Sequence, residues 1–219
     1  MKTRLISVLF VFLSTSAWAT GQMGESVEFE GNTYSTQGFP YLDAKIPHGR
    51  SGCTALWRGY FGSWLVIDKQ LYLKQVVTDN LLAQQDDRFE KLEKPDNTCA
   101  GYYQVNLEKI YGRKAPIPAP WFTGSIDLHD GKQLQYVHMG FASTYERNIL
   151  LRFENGRLLG KTVLDNTQAF KKCGSSLKQF DQFYEANEKK PLKQQIDPKT
   201  WKPSTECLPQ VISNENYPS

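Results

Sequence analysis

The sequence predicts a mainly β protein, an antiparallel hairpin meander forming a sandwich or partly closed barrel, with a C-terminal helix. Three observations carry that expectation. Strand-prone runs rich in Trp, Tyr, Phe, Leu, Ile and Val recur through the middle of the chain, the side chains that suit a half-buried pleated surface. Turn signals separate these runs, Asn155-Gly156 being the strongest. The clearest helical pattern comes late, after Ser175.

In chain order the first element is a leader. Lys2 and Arg4 give a positive start, Leu5 to Leu13 runs apolar with one Ser, and Ala17-Trp18-Ala19 places small residues at the −3 and −1 positions of a cut site. This is the layout of a cleavable signal peptide over residues 1–19, cut after Ala19. The apolar run is shorter than the ~20 residues that span a bilayer. The expected location is therefore periplasmic or secreted, with no membrane span in the mature chain. Residues 20–170 form the expected β domain; residues 171–219 are the helix and a disulfide-stapled tail packing on it.

Val27–Phe29 and Thr33–Ser35 pair around Gly31-Asn32. Trp57, Tyr60, Phe61, Trp64, Leu65, Val66 and Ile67 are strand-prone, and Leu71-Tyr72-Leu73 returns after a turn at Asp68-Lys69. Leu81 to Pro95 is charged and sparsely apolar, a short helix or an excursion. Ala115 to Pro120 holds three prolines without N–H donors, so it is a stiff connector or a sheet edge. Trp121 to Met139 reads as a hairpin about His129-Asp130-Gly131, which sets Leu128 against Lys132 and Ile126 against Leu134. Ile126, Leu128, Leu134 and Tyr136 then share one face. Asn155-Gly156 joins Ile149–Phe153 to Leu158–Leu164. Ser175 or Ser176 caps a helix running to about Lys189, ended by Pro191. From Pro198 onward, prolines and few apolar residues predict an irregular tail held through Cys207.

Charge and cysteine usage bound the function. The chain has 26 basic and 23 acidic residues; without Lys2 and Arg4 the balance is near neutral, which argues against nucleic acid as a partner. Four cysteines, Cys53, Cys99, Cys173 and Cys207, predict two disulfides in an oxidising compartment. Three pairings are open. Cys53–Cys99 and Cys173–Cys207 are preferred because each brackets a polar, loop-rich stretch, and each is worth roughly 3–4 kcal/mol in the chain-entropy model. The cysteines are 34 or more residues apart, whereas a structural zinc site has two within a few residues. Neither a metal nor a cofactor is expected.

No catalytic constellation stands out. His48, His129 and His138 have no partner at metal-ligand spacing. Ser175-x-x-Lys178 lacks the companion motifs of serine acyl enzymes, and a serine at a helix start caps it. Asp127 with Asp130, and Glu28 with Glu30, read as solvated turn and edge carboxylates as readily as an acid–base pair. Aromatic and arginine usage is more telling. Alternation places Trp57 on one strand face and Arg58 with Tyr60 on the other. With Arg50, Trp64, Trp121, His138, Tyr145, Glu146 and Arg147 they form the candidate binding set, since Trp, Tyr and Arg anchor interfaces. Arg58 beside Tyr60, and Glu146 with it, would make a stacked, charge-paired cluster; sheet consolidation is the competing role.

Ala55-Leu56-Trp57-Arg58-Gly59-Tyr60, then Trp64 and Leu71-Tyr72-Leu73, resembles a pattern of a family of uncharacterised bacterial exported proteins. So do Trp121-Phe122-Thr123-Gly124, Tyr136-Val137-His138-Met139-Gly140 and Tyr145-Glu146-Arg147. The resemblance spans residues 54–160, implies a shared fold and carries over no activity. The expected function is an exported, non-enzymatic module that binds another protein, in the manner of an inhibitor or an immunity protein. The alternative is a carbohydrate or cell-wall binding domain, which requires coplanar, exposed Trp57, Trp64 or Trp121 in a groove. The third is an envelope hydrolase, which requires Asp127, Asp130, Glu146 or His138 to converge.

Overall fold

The structure, a computed structural model, describes residues 21–36, 38, 40–48, 53–78, 86–93, 103–138 and 141–217. The leader with its cut site, Arg50, Cys99, Met139 and Gly140 lie outside the described residues, as do 81–85 and 94–95 of the charged stretch. Within that stretch, residues 86–93 form a turn and the short strand β5 (Phe89–Lys91) rather than a helix.

Three hairpins follow from their turns. β1 (Ser26–Phe29) meets β2 (Asn32–Ser35) across Glu30-Gly31. β3 (Phe61–Ile67) meets β4 (Gln70–Thr78) across Asp68-Lys69. β9 (Thr144–Glu154) meets β10 (Arg157–Asp165) across Asn155-Gly156. Both central residues of every turn have positive φ, between 47° and 78°, the two-residue geometry whose twist matches the flanking strands. Asn155-Gly156 adopts it at little cost. Gly156 is also irreplaceable for space, because a Cβ there would stand 2.4 Å from the Ala119 carbonyl oxygen.

The strands join in the order β2-β1-β3-β4-β10-β9-β8, with β8 spanning Gly124–Gln135. Pairing is antiparallel except between β1 and β3, where Val27 lies beside Trp64. β4 and β10 touch at their turn ends, through Gln70 and Arg157 and through Leu158 N–H donating to the Lys69 carbonyl. The proline-rich stretch forms the edge strand β7 (Ile117–Pro118) on β4, and β6 (Tyr103–Val105) pairs with both β4 and β5. The sheet is not closed into a barrel, although an isolated bridge between Thr36 and Leu128 brings β8 to the far end of the strand order. One face packs Val27, Phe29, Trp64, Val66, Leu71, Leu73, Leu128 and Leu151 into the core. On β4 the extra residue Lys74 bulges out between Leu73 and Gln75, so Leu73 and Val76 both turn inward despite their odd spacing.

Two expectations are corrected here. His129-Asp130-Gly131 is not a turn: β8 runs straight through it against β9, with Leu128 opposite Ile149 and Ile126 opposite Leu151. Gly131, at φ 79°, instead makes a bulge in which Gly131 and Lys132 oppose the single residue Glu146. A left-handed glycine serves a three-residue turn and a bulge equally well, and pairing with β9 buries Ile126 and Leu128 against apolar partners. Leu134 and Tyr136 therefore leave the core face, and Tyr136 is 63% exposed.

The tail is the second correction. After α1 (Leu107–Tyr111), α2 (Thr167–Cys173) and α3 (Ser176–Glu188), residues Gln210–Asn216 form β11, antiparallel to β10. Its side chains are nearly all exposed. Backbone pairing rather than burial holds it, so the sequence carries no period to announce it. The helix cap is as expected: Ser175 Oγ accepts from the Lys178 N–H at 3.1 Å. The Cys173–Cys207 disulfide ties α2 to the approach to β11. Cys53 is disulfide-bonded; its expected pairing falls on Cys99, outside the described residues.

Candidate functional site

The turn before β3 sorts the Trp-Arg-Gly-Tyr stretch. Thr54–Leu56 forms a single 3-10 turn and Gly59, at φ 83°, closes back on the Leu56 carbonyl at 2.8 Å. Trp57 and Arg58 therefore lie in a turn, not on a strand, and the expected alternation does not apply to them. Trp57 is 63% exposed, whereas the Arg58 side chain is only 4% exposed. Arg58 Nη1 donates to the Met23 carbonyl at 2.7 Å and Nε lies 3.3 Å from Glu25 Oε1. Trp64, fully buried, donates its indole N–H to the other Glu25 oxygen.

Burial pushes the Glu25 carboxyl up to about 7; the Arg58 charge and the Trp64 donor pull against it. Arg58 also lies over the Tyr60 ring, 5.5 Å from its centre. The expected stacked, charged cluster exists, but its carboxylate is Glu25 rather than Glu146. Arg58, Tyr60 and Trp64 consolidate the fold and offer no contact surface.

Two exposed aromatic residues, Trp57 and Tyr136, adjoin residues 21–22. The Trp57 backbone N–H donates to Gln22 Oε1 at 3.4 Å, and Gln22 Nε2 donates to the Thr54 carbonyl at 2.7 Å. Next to it, Gly21 approaches the Tyr136 ring, and the Tyr136 hydroxyl lies 2.7 Å from His138 Nδ1. Trp57, Tyr136 and His138 thus flank one extended segment. Trp121 is elsewhere, stacked on Tyr111 at 6.0 Å and donating to the Tyr41 carbonyl at 3.2 Å.

The expected hydrolase set does not converge. Asp130 accepts from Arg147 Nε at 2.6 Å, Glu146 accepts the Lys132 N–H at the β8 bulge, and His138 stays with Tyr136. Tyr145 stacks on His129 with ring centres 3.9 Å apart. His129 lines a cavity of about 210 Å³ with Gly24, Thr36, Ser143 and Tyr145. Neither of its ring nitrogens has a hydrogen-bond partner among the described residues, and burial holds its pKa down at about 4.

Alternation turns Asp127 away from Ile126 and Leu128, to the side covered by α3. There Asn148 Nδ2 donates to Asp127 Oδ1 at 2.6 Å, and Asn166 Nδ2 donates to Asn148 Oδ1 at 2.6 Å. Phe180 and Trp201, 5.4 Å apart and edge to face, stand over this row. Glu25, Asn148, Asn166, Phe180 and Trp201 were not among the sequence candidates. Glu25 had a signal: it shares the parity of Val27 and Phe29, so an acid stood in phase with core positions.

Burial pushes the Asp127 carboxyl up to about 6, against the Asn148 donor. Ionising it in the folded protein therefore costs stability, which is intact below the ordinary carboxylate range and lost as pH rises through 6. Asp127→Asn, which keeps an acceptor for Asn148, is expected to gain about 1–3 kcal/mol above pH 7. The gain should vanish towards pH 4, as urea denaturation at the two pH values would read.

Among the described residues no cluster of three His, Cys, Asp or Glu side chains is placed to hold a metal ion, and no helix is long and apolar enough to cross a membrane. No protein-family model, curated protein or solved structure matches the chain.

Proposed function

We propose that the chain is an exported, non-enzymatic module that binds another protein, in the manner of an inhibitor or an immunity protein. One observation carries this reading: Trp57 is presented outward from a turn whose next residue is locked into the core. A large aromatic group on a rigid base loses little entropy when it enters a partner's pocket, which is the behaviour of interface anchors. Tyr136 and His138 extend the surface across Gly21-Gln22. Cleavage after Ala19 would start the mature chain at Thr20, in a periplasmic or secreted product; the Cys173–Cys207 disulfide suits that compartment. A carbohydrate platform built on the tryptophans has less support, since Trp64 is buried and Trp121 is engaged with Tyr111.

Site-specific photo-cross-linking in cells exporting the protein tests the proposal. A photoreactive phenylalanine analogue at position 57 or 136 is expected to capture one protein in a discrete adduct. The same probe at Leu192, which is 87% exposed but far along the chain from this surface, should capture none. Equal capture at all three positions, or no adduct at 57 and 136, would sink the reading.

A further inference from the structure

The cleft above Asp127 has the make-up of a separate ligand site. It encloses about 470 Å³ between the outer side of β8–β9 and the C-terminal segment. Asp127 and Asn148 of the sheet line it together with Ser143 and Thr144, and Phe180 and Trp201 supply its aromatic lining. Asp127 is the single charged residue in the lining. Among the described residues no cationic side chain forms an ion pair with it.

Several charged groups on the surrounding elements are engaged elsewhere. Arg147 of β9 pairs with Asp130, Asp165 of β10 accepts from Thr167, and Lys172 of α2 pairs with Glu206. Lys171 and Lys178 line a different cleft that shares Trp201. No charged residue of α3 lines the Asp127 cleft.

A carboxylate withdrawn from water and met only by a neutral amide gains more from an arriving cation than from any uncharged ligand. The aromatic wall adds a second preference. Phe180 and Trp201 offer apolar contact to a hydrocarbon chain and a ring quadrupole to a cation. We propose that this cleft binds a primary ammonium group carried on an alkyl chain, with the ammonium on Asp127 and the chain against Phe180 and Trp201. The group can come from a lysine side chain of another protein or from a free alkylamine. A neutral sugar would find Asn148 and the aromatic wall but bring no charge to Asp127. This site is distinct from the Trp57 surface, and its fate does not depend on that reading.

The test is calorimetric titration of the purified, oxidised protein with Nα-acetyl-lysine-N-methylamide and with butylamine, paired with 13C NMR of the Asp127 carboxyl. Saturable binding at pH 8 is expected, with the carboxyl midpoint moving down as amine is added. Affinity should fall at least tenfold in Asp127→Asn, and also in the wild-type protein when the pH is lowered to 5. Tighter binding of the lysine derivative assigns the group to a protein side chain, and tighter binding of butylamine to a free amine. No saturable response to either amine overturns the proposal. So does equal affinity in folded Asp127→Asn, or binding of N-acetylglucosamine that outcompetes both amines.

Discussion

Arg58→Ala is expected to lower the unfolding free energy by about 3–5 kcal/mol, the cost of leaving a buried carboxylate without its counter-ion. Glu25 is 1% exposed, and its two oxygens are met by Arg58 and by the Trp64 indole N–H. Removing the guanidinium also strands the Met23 carbonyl, which Arg58 Nη1 reaches at 2.7 Å. The penalty should depend on pH in a definite direction. Burial already lifts Glu25 to about 7 with Arg58 present, so the stability tied to its protonation is complete at low pH and lost as pH rises through that value. Without Arg58 the carboxyl moves higher still. The variant should therefore lose less stability at pH 5, where Glu25 is protonated in the folded chain, than at pH 8. Urea denaturation followed by Trp fluorescence at both pH values reads the difference, and a penalty equal at the two would show that Glu25 is not the reason. The apolar double variant Glu25→Leu with Arg58→Met removes both charges together. It leaves the Met23 carbonyl and the buried Trp64 indole N–H without these partners, so its cost, about 1–3 kcal/mol for each stranded group, should be the same at pH 5 and pH 8. Its folded state would then tell whether the ion pair is needed to hold Trp57 outward.

The parts of the fold that were legible are those in which a few neighbouring residues decide the geometry. Asn155-Gly156 specifies a tight hairpin because both residues accept positive φ, and Ser175 specifies a helix start because its hydroxyl meets the Lys178 N–H. Even Asp68-Lys69 was readable from the strands on either side, although neither residue is a glycine. Where one local signal serves two structures, the chain alone did not choose. Gly131 is left-handed in a turn or in a bulge, and the deciding contact is with Ile149 and Leu151 of β9. β11 was hidden for a different reason: it is held by its backbone against β10 and buries almost nothing.

The candidate site divides in the same way. An abundance of Trp and Arg does not say which of them faces water, and one turn at Gly59 sends Trp57 out and Arg58 in. Tyr136 entered the surface because the bulge at Gly131 removed it from the expected core face. Trp201 shares a cleft with Asp127 only because the chain returns over the outer side of β8–β9, a juxtaposition across 74 residues that no local pattern encodes.

Removing the Cys173–Cys207 disulfide is expected to have the next largest effect. The bond closes a stretch of 34 residues, and releasing that constraint on the unfolded chain corresponds to about 3–4 kcal/mol in the chain-entropy model. The loop it closes contains α3 and Trp201, so the staple also fixes the aromatic wall over Asp127. Phe180 and Phe183 hold Trp201 by ring contacts at 5.4 and 5.7 Å, and the pairing of β11 with β10 anchors the segment beyond Cys207. Two outcomes are distinguishable for Cys173→Ser with Cys207→Ser. If the tail and the sheet unfold as one unit, the whole denaturation curve shifts by the predicted amount and β10 amides lose protection from hydrogen exchange along with those of β11. If the tail opens by itself, the main transition stays in place while β11 exchanges quickly. In the second case the wall above Asp127 loosens, and amine affinity should fall with it. Retention of full affinity in the disulfide-free protein would mean that the Phe180–Phe183–Trp201 cluster holds the cleft together without the staple.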